Sequence, residues 1–303
     1  MTTGNAPRDP EEMEATGGGT RPEISPLTSL GAVHLSVADL DRSLSYYTRE
    51  IGLRVLEKAA GRASLGTGTD VLLVLEEVSG AEPSGGYTGL YHFALLLPER
   101  ADLARWLAHA ARDRVRVGGA SDHFVSEALY LTDPDGHGIE IYWDRPRSTW
   151  EGQVAARMTT LPLDIPAILG ELANPASEPF DGMPPGTALG HLHLKVAEIP
   201  GTVAFYSDLL GFGLMARFGG QAAFLSAGGY HHHLGANTWE SAGAAPAPEG
   251  SARLLRATVV LPDARERDRL LARVEAAGLR SAEVGGAPEV SDPSGNRLLL
   301  AVR

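Results

Sequence analysis

The sequence predicts an α+β fold of four strand, helix, three-strand (βαβββ) modules, paired into two domains with curved mixed sheets. Three observations carry this prediction. A repeat divides the chain: Gly31-Ala-Val-His34-Leu-Ser-Val-Ala38 returns as Gly190-His-Leu-His193-Leu-Lys-Val-Ala197, so that His193 lies 159 residues after His34. The same spacing carries Tyr47 onto Tyr206, Gly52 onto Gly211 and the turn Asp133-Pro134-x-Gly136 onto Asp292-Pro293-x-Gly295. Within each copy, the order of strand, capped helix and short strands occurs twice. A hydrophobic content of 43% over 303 residues is enough for two cores.

The elements follow in order. Residues 1–27 are rich in Gly, Pro, Thr and Glu, with few large apolar side chains, and read as a disordered tail. A strand over Val33 to Val37 leads into a helix opened by Asp39 as N-cap and closed by Gly52, followed by short strands around Leu53, Ala63 and Val71 to Leu75. The second module has a strand over Tyr91 to Leu97, a helix from after Pro98 to about Arg112, and strands ending at Trp143. The third and fourth modules start near Leu189 and Leu255, the last with a helix opened by Pro262-Asp263 and closed by Gly278. The expected division is a first domain over 28–145, a Pro-rich connector over 146–187 with one short helix near Ile165 to Leu172, and a second domain over 188–303. Apolar residues of the connector (Met158, Leu161, Leu163, Ile168) point to packing on a domain surface.

Composition narrows the function. The absence of cysteine excludes disulfides, thiolate metal sites and thiol nucleophiles, so any metal must be held by His, Asp or Glu. A formal charge of −12, from 26 basic and 38 acidic residues, argues against general nucleic-acid binding. No apolar run approaches the ~18 residues that would span a bilayer, and no basic-then-apolar signal segment opens the chain. A soluble cytoplasmic protein with no membrane partner is expected, possible homo-oligomer formation being left open.

The stretch from Ser121 to Trp143 carries the chemistry. Leu129 to Thr132, the turn Asp133-Pro134-Asp135-Gly136 and Ile139 to Trp143 form a hairpin. Glu140 points to the face opposite Ile139 and Ile141, where a carboxylate is either solvated at an edge or satisfied by a cation or a hydrogen-bond network. His123 and Tyr130 precede it, and His34 and His92 each stand alone in an apolar strand. A lone strand histidine is more often a satisfied core or surface group than a ligand. His137, inside the turn, reads as structural.

These residues resemble the vicinal oxygen chelate superfamily of glyoxalases, bleomycin-resistance proteins and extradiol dioxygenases, and most of all its two-domain catechol 2,3-dioxygenase-like members. The likeness runs from about Leu30 to Val302. The ring-cleavage signature of that family is matched by His123, Leu129-Tyr130, Asp133-Pro134-Asp135-Gly136 and Glu140, with Ser121 as a departure two residues before the histidine. The resemblance implies metal ligands His34, His92 and Glu140, with His123 moving protons and Tyr130 bonding a substrate oxygen. The implied ion is Fe(II), with Mn, Ni, Zn or Co as other divalent candidates, and the implied substrates are a catechol-like aromatic diol and O2. At the matching positions of the second half, His193 keeps the first histidine, while Arg256 replaces His92 and Leu299 replaces Glu140, so that half is expected to be degenerate as a metal site. His193 with His233 forms a weaker candidate cluster; the alternative for His231-His232-His233 is a hydrogen-bonded lining. An extradiol dioxygenase is the leading reading. A non-oxidative isomerase or lyase of the glyoxalase type and a small-molecule-binding resistance protein are the alternatives.

Overall fold

A computed structural model describes residues 22–303. Two eight-stranded mixed sheets carry the chain. The first module supplies β1 (Ser29–Val37), β2 (Arg54–Ala59), β3 (Arg62–Thr67) and β4 (Asp70–Glu77); the second supplies β5 (Gly89–Leu96), β6 (Gly119–Asp122), β7 (Ser126–Thr132) and β8 (Gly138–Asp144). The third contributes β9 (Ala188–Lys195), β10 (Gly213–Phe218), β11 (Ala222–Ser226) and β12 (Leu234–Asn237). The fourth ends the chain with β13 (Leu254–Leu261), β14 (Ala282–Val284), β15 (Ala287–Ser291) and β16 (Arg297–Val302).

Local chemistry sets the expected boundaries. The Asp39 carboxylate accepts the Arg42 N–H at 2.9 Å and opens the helix Leu40–Tyr46, which continues through a wider turn to Ile51. Gly52 closes it at φ +94°, where a Cβ would also run into the Phe180 ring, so only glycine fits. Asp263 caps the helix Ala264–Ala276 in the same way through the Glu266 N–H. The helix Arg100–Asp113 buries Leu103, Trp106, Leu107 and Ala110, the i, i+3, i+4, i+7 stripe of an amphipathic helix, and the Trp106 indole N–H reaches the Ile51 carbonyl at 3.1 Å.

Module pairing departs from the order of the chain. One sheet runs β14-β15-β16-β13-β1-β4-β3-β2 and the other β10-β11-β12-β9-β5-β8-β7-β6. The first module therefore joins the fourth through the antiparallel seam β1·β13, and the second joins the third through β5·β9. The segments 28–145 and 188–303 do not each own a sheet, because consecutive modules end up in different ones. Residues 1–21 of the expected tail lie outside the described residues. Of the rest, Ile24 is buried and its N–H donates to the Gly211 carbonyl at 2.9 Å, so this stretch packs on the third module.

The connector packs as its apolar residues suggest. Ile168 is fully buried in the helix Ile165–Leu169, Phe180 stacks on His109 with ring centroids 4.1 Å apart, and the Met183 N–H bonds the Gly52 carbonyl. A second short helix, Val154–Arg157, is also present. Among the described residues, no helix is long and apolar enough to cross a membrane.

Candidate metal centre

The site grows from the register of three strands. Ala94 on β5 lies opposite Glu140 on the parallel neighbour β8 and opposite His191 on the antiparallel neighbour β9. His92, two residues before Ala94, projects from the same face of β5. Because the central position is a buried alanine, the three longer side chains can close over it. His92 Nε2 lies 3.0 Å from Glu140 Oε2, His191 Nε2 lies 3.1 Å from the same oxygen, and the two nitrogens are 3.3 Å apart. All three residues are buried, Glu140 at 2% exposure.

These distances test whether the residues fit a divalent ion. Two ligand atoms about 2.1 Å from a common centre and at right angles to each other are about 3.0 Å apart. The observed triangle has the edges of one face of an octahedron, the arrangement of a two-His, one-carboxylate facial triad. Charge agrees with geometry. Burial pushes the Glu140 carboxyl upward, yet the imidazoles of His191 and His92 outweigh it and hold the group well below the usual carboxylate range. Burial lowers the His191 imidazole, with the charge and hydrogen bond of Glu140 as the opposing influence. A buried carboxylate is costly unless hydrogen bonds or a cation compensate it.

The triad forms part of the wall of a cavity of about 570 Å³, which His123, Tyr130, His193 and His232 also line. That volume lies within the range for small-molecule sites. The connector orients His123: His123 Nδ1–H donates to the Thr159 carbonyl at 2.7 Å, leaving Nε2 to accept the Tyr130 hydroxyl at 2.6 Å. Its loop is pinned by Arg145, which grips Asp122 with both terminal nitrogens, at 2.7 and 2.8 Å, and reaches buried Glu127 at 3.2 Å. Phe124 next to it takes φ +68°, a left-handed conformation held by the Asp122 carboxylate on its N–H. Burial, then the Glu140 charge, raises the Tyr130 phenol and keeps it protonated.

A second histidine chain reaches the cavity from the loop before β12. Asp144 Oδ1 accepts His231 Nε2–H at 2.8 Å, and His231 Nδ1 lies 2.9 Å from His232 Nδ1. With His231 donating to the carboxylate, its Nδ1 accepts from His232, and His232 Nε2 is left as a free acceptor. Tyr230 supports the same carboxylate through a 2.7 Å bond to Oδ2.

The structure thus brings His92, Glu140, His123 and Tyr130 together, and His34 elsewhere. His34 lies in the other sheet opposite Arg256, because β1 pairs with β13 and β4 rather than with β5 or β8. Burial, then Arg256 and Arg62, lowers its pKa to about 4. The third converging donor is His191. Strand alternation offered one signal for it, since His191 and His193 share a face of β9 and only register decides which reaches Glu140. His193 and His233 do not meet: His193 faces the cavity with Nε2 unpaired, and His233 Nδ1 accepts the Ala227 N–H outside a strand. Gly235 accommodates the His193 ring, which a Cβ there would crowd at 2.9 Å. His137 has a structural place, its Nε2 2.9 Å from the Ser36 carbonyl oxygen.

Comparison with known proteins agrees with the fold. The family model for the Glyoxalase/Bleomycin resistance protein/Dioxygenase superfamily matches residues 29–141 and again 188–300. A Bacillus subtilis (strain 168) protein named catechol-2,3-dioxygenase is 43% identical over 272 residues, covering 88% of this chain and 94% of that protein. Among solved structures, a provisionally assigned dioxygenase from Bacillus subtilis subsp. subtilis str. 168 superposes with a TM-score of 0.64 at 14% identity, over 93% of this chain and 86% of that one. Glyoxalase I from Zea mays superposes with a TM-score of 0.55 at 16% identity, over 90% and 92%. At these identities the two structures speak for the fold alone.

Proposed function

The chain belongs to the Glyoxalase/Bleomycin resistance protein/Dioxygenase superfamily, and from that premise we propose that it is an extradiol dioxygenase, opening a catechol-like ring with O2 at an Fe(II) held by His92, His191 and Glu140. One observation carries the reading: a buried triangle of two imidazole nitrogens and a carboxylate oxygen, 3.0 to 3.3 Å on a side, in the wall of a ligand-sized cavity. The relative named catechol-2,3-dioxygenase supports the choice of reaction within the superfamily.

An Fe(II) held by His92, His191 and Glu140 would supply open coordination positions for a diol and for dioxygen, and a route for electrons between them. The chain's own residues do the rest. Tyr130 presents a neutral phenol that can share a hydrogen bond with a substrate oxygen, while His123 Nε2 stands behind it, ready to accept the proton. His232 offers a second acceptor at Nε2, since its other nitrogen is committed to His231 and, through it, to Asp144. Two separate proton acceptors suit a reaction that must remove protons from a diol. Tyr91, Phe224 and Trp239 add aromatic surface to the cavity wall.

The test is oxygen consumption by anaerobically iron-loaded protein given simple catechols. The expected result is stoichiometric oxygen uptake with a yellow ring-opened product and one iron per chain. Absence of uptake with every diol tried would overturn the proposal. Oxygen-independent turnover with Ni(II), Zn(II) or Co(II) would move the chain to the isomerase and lyase branch.

A further inference from the structure

One face of β9 continues past the triad. His191, His193 and Lys195 occupy alternate positions on that strand, and all three line the cavity. Lys195 is 7% exposed. Its ammonium, which has three donors, makes a single long hydrogen bond, 3.4 Å to the Ser84 carbonyl, and joins no ion pair among the described residues. Burial lowers its pKa, with exposed Glu240 at the cavity rim as the opposing charge. A buried cation with idle donors is costly unless something completes it. The other sheet gives the contrast: 159 residues earlier stands Ser36, fully buried, its hydroxyl satisfied by the Ser251 carbonyl at 2.8 Å.

We infer that Lys195 is a specificity residue that receives a carboxylate on the substrate, so that the preferred ligand is an aromatic vicinal diol with a short carboxylated tail. This rests on the dioxygenase reading for the diol end only. Four residues of extended strand place the Cα of Lys195 about 13 Å from that of His191. An aromatic ring anchored by its oxygens at the triad would cover roughly 5 Å of that distance, and a lysine side chain turned towards it about 6 Å more. A tail of about two or three atoms ending in a carboxylate bridges the remainder. Between the two ends lies His193, whose unpaired Nε2 adds a polar contact along the path.

The experiment compares 3-(3,4-dihydroxyphenyl)propanoate with its methyl ester and with 4-ethylcatechol. Anaerobic calorimetry gives binding to the metal-loaded protein, and oxygen uptake gives turnover. For the natural chain, the carboxylate is expected to bind about 10- to 100-fold more tightly than either neutral probe, the scale of one charge-assisted hydrogen bond. Lys195→Met should collapse that ratio towards one, while Lys195→Arg, which keeps the charge, should retain most of it and shows that the position tolerates change. Equal affinity for charged and neutral probes in the natural chain, or a preference that survives Lys195→Met, overturns the inference. A Lys195-dependent preference in calorimetry without oxygen uptake upholds it and removes the dioxygenase reading instead.

Discussion

The two sheets share one plan and differ at the positions that matter for an ion. In the second, His92 faces His193 across the seam, and Ala94 lies between Glu140 and His191. In the first, Arg256 faces His34, and Thr258, two residues on, pairs with Leu299. At the 159-residue spacing, His191 corresponds to Ala32 and Glu140 to Leu299. All three donors are thus lost from the first sheet, and Arg256 turns to Glu289, 2.6 Å away, for its partner. The histidine that repeats, His34 and His193, stands outside the converging triad in both sheets. Which side chains converge is set by what each position faces, and the visible repeat marks the neighbour of a converging residue.

That contrast can be broken in stages. Glu140→Gln removes the anion and should abolish metal retention, costing roughly 10³-fold or more in turnover, whereas His34→Ala should leave the metal content unchanged; elemental analysis of both variants decides. Ala94→Leu should fill the space over which the triad closes. An overpacking cost of about 1–3 kcal/mol with loss of bound metal is expected, and Thr258→Leu at the matching place in the other sheet should leave the metal in place; thermal melts with metal analysis separate the two. His231→Gln breaks the link from Asp144 to His232 without touching a donor atom, so kcat should fall about 10- to 100-fold with the metal retained.

The smallest effect concerns His34 itself. Its folded pKa of about 4 lies below the ordinary 6.5, so the unfolded chain takes up the proton first. The neutral form therefore contributes stability in full above pH 6.5, and this contribution is lost as the pH falls towards 4. Replacing His34 by Gln should flatten the stability curve in that window by on the order of 1 kcal/mol per pH unit, read from urea midpoints. His233, also lowered to about 4, keeps part of the slope.

Local patterns made the modules legible. Asp39, Gly52 and Asp263 announce helix ends by chemistry confined to a few residues, and the Asp133 to Gly136 turn fixes the Tyr130–Glu140 register directly. Glu140 and His92 could be nominated from the motif and from strand position. The pairing of modules could not, because the seams β1·β13 and β5·β9 join strands far apart in the chain and nothing local distinguishes them. With the seam unknown, the choice between His34 and His191 was beyond reach. The role of the connector at His123 was hidden for the same reason: it depends on a single backbone carbonyl at Thr159.

The β1·β13 seam also has a consequence for biosynthesis. Ser29 meets Val260, so an early-made strand cannot acquire its partner until almost the entire polypeptide has left the ribosome. Until then, one flank of the nascent amino-terminal sheet offers unpaired amide and carbonyl groups to any other extended chain nearby. Pairing over so long a stretch of chain predicts slow maturation, whatever chemistry the finished protein performs.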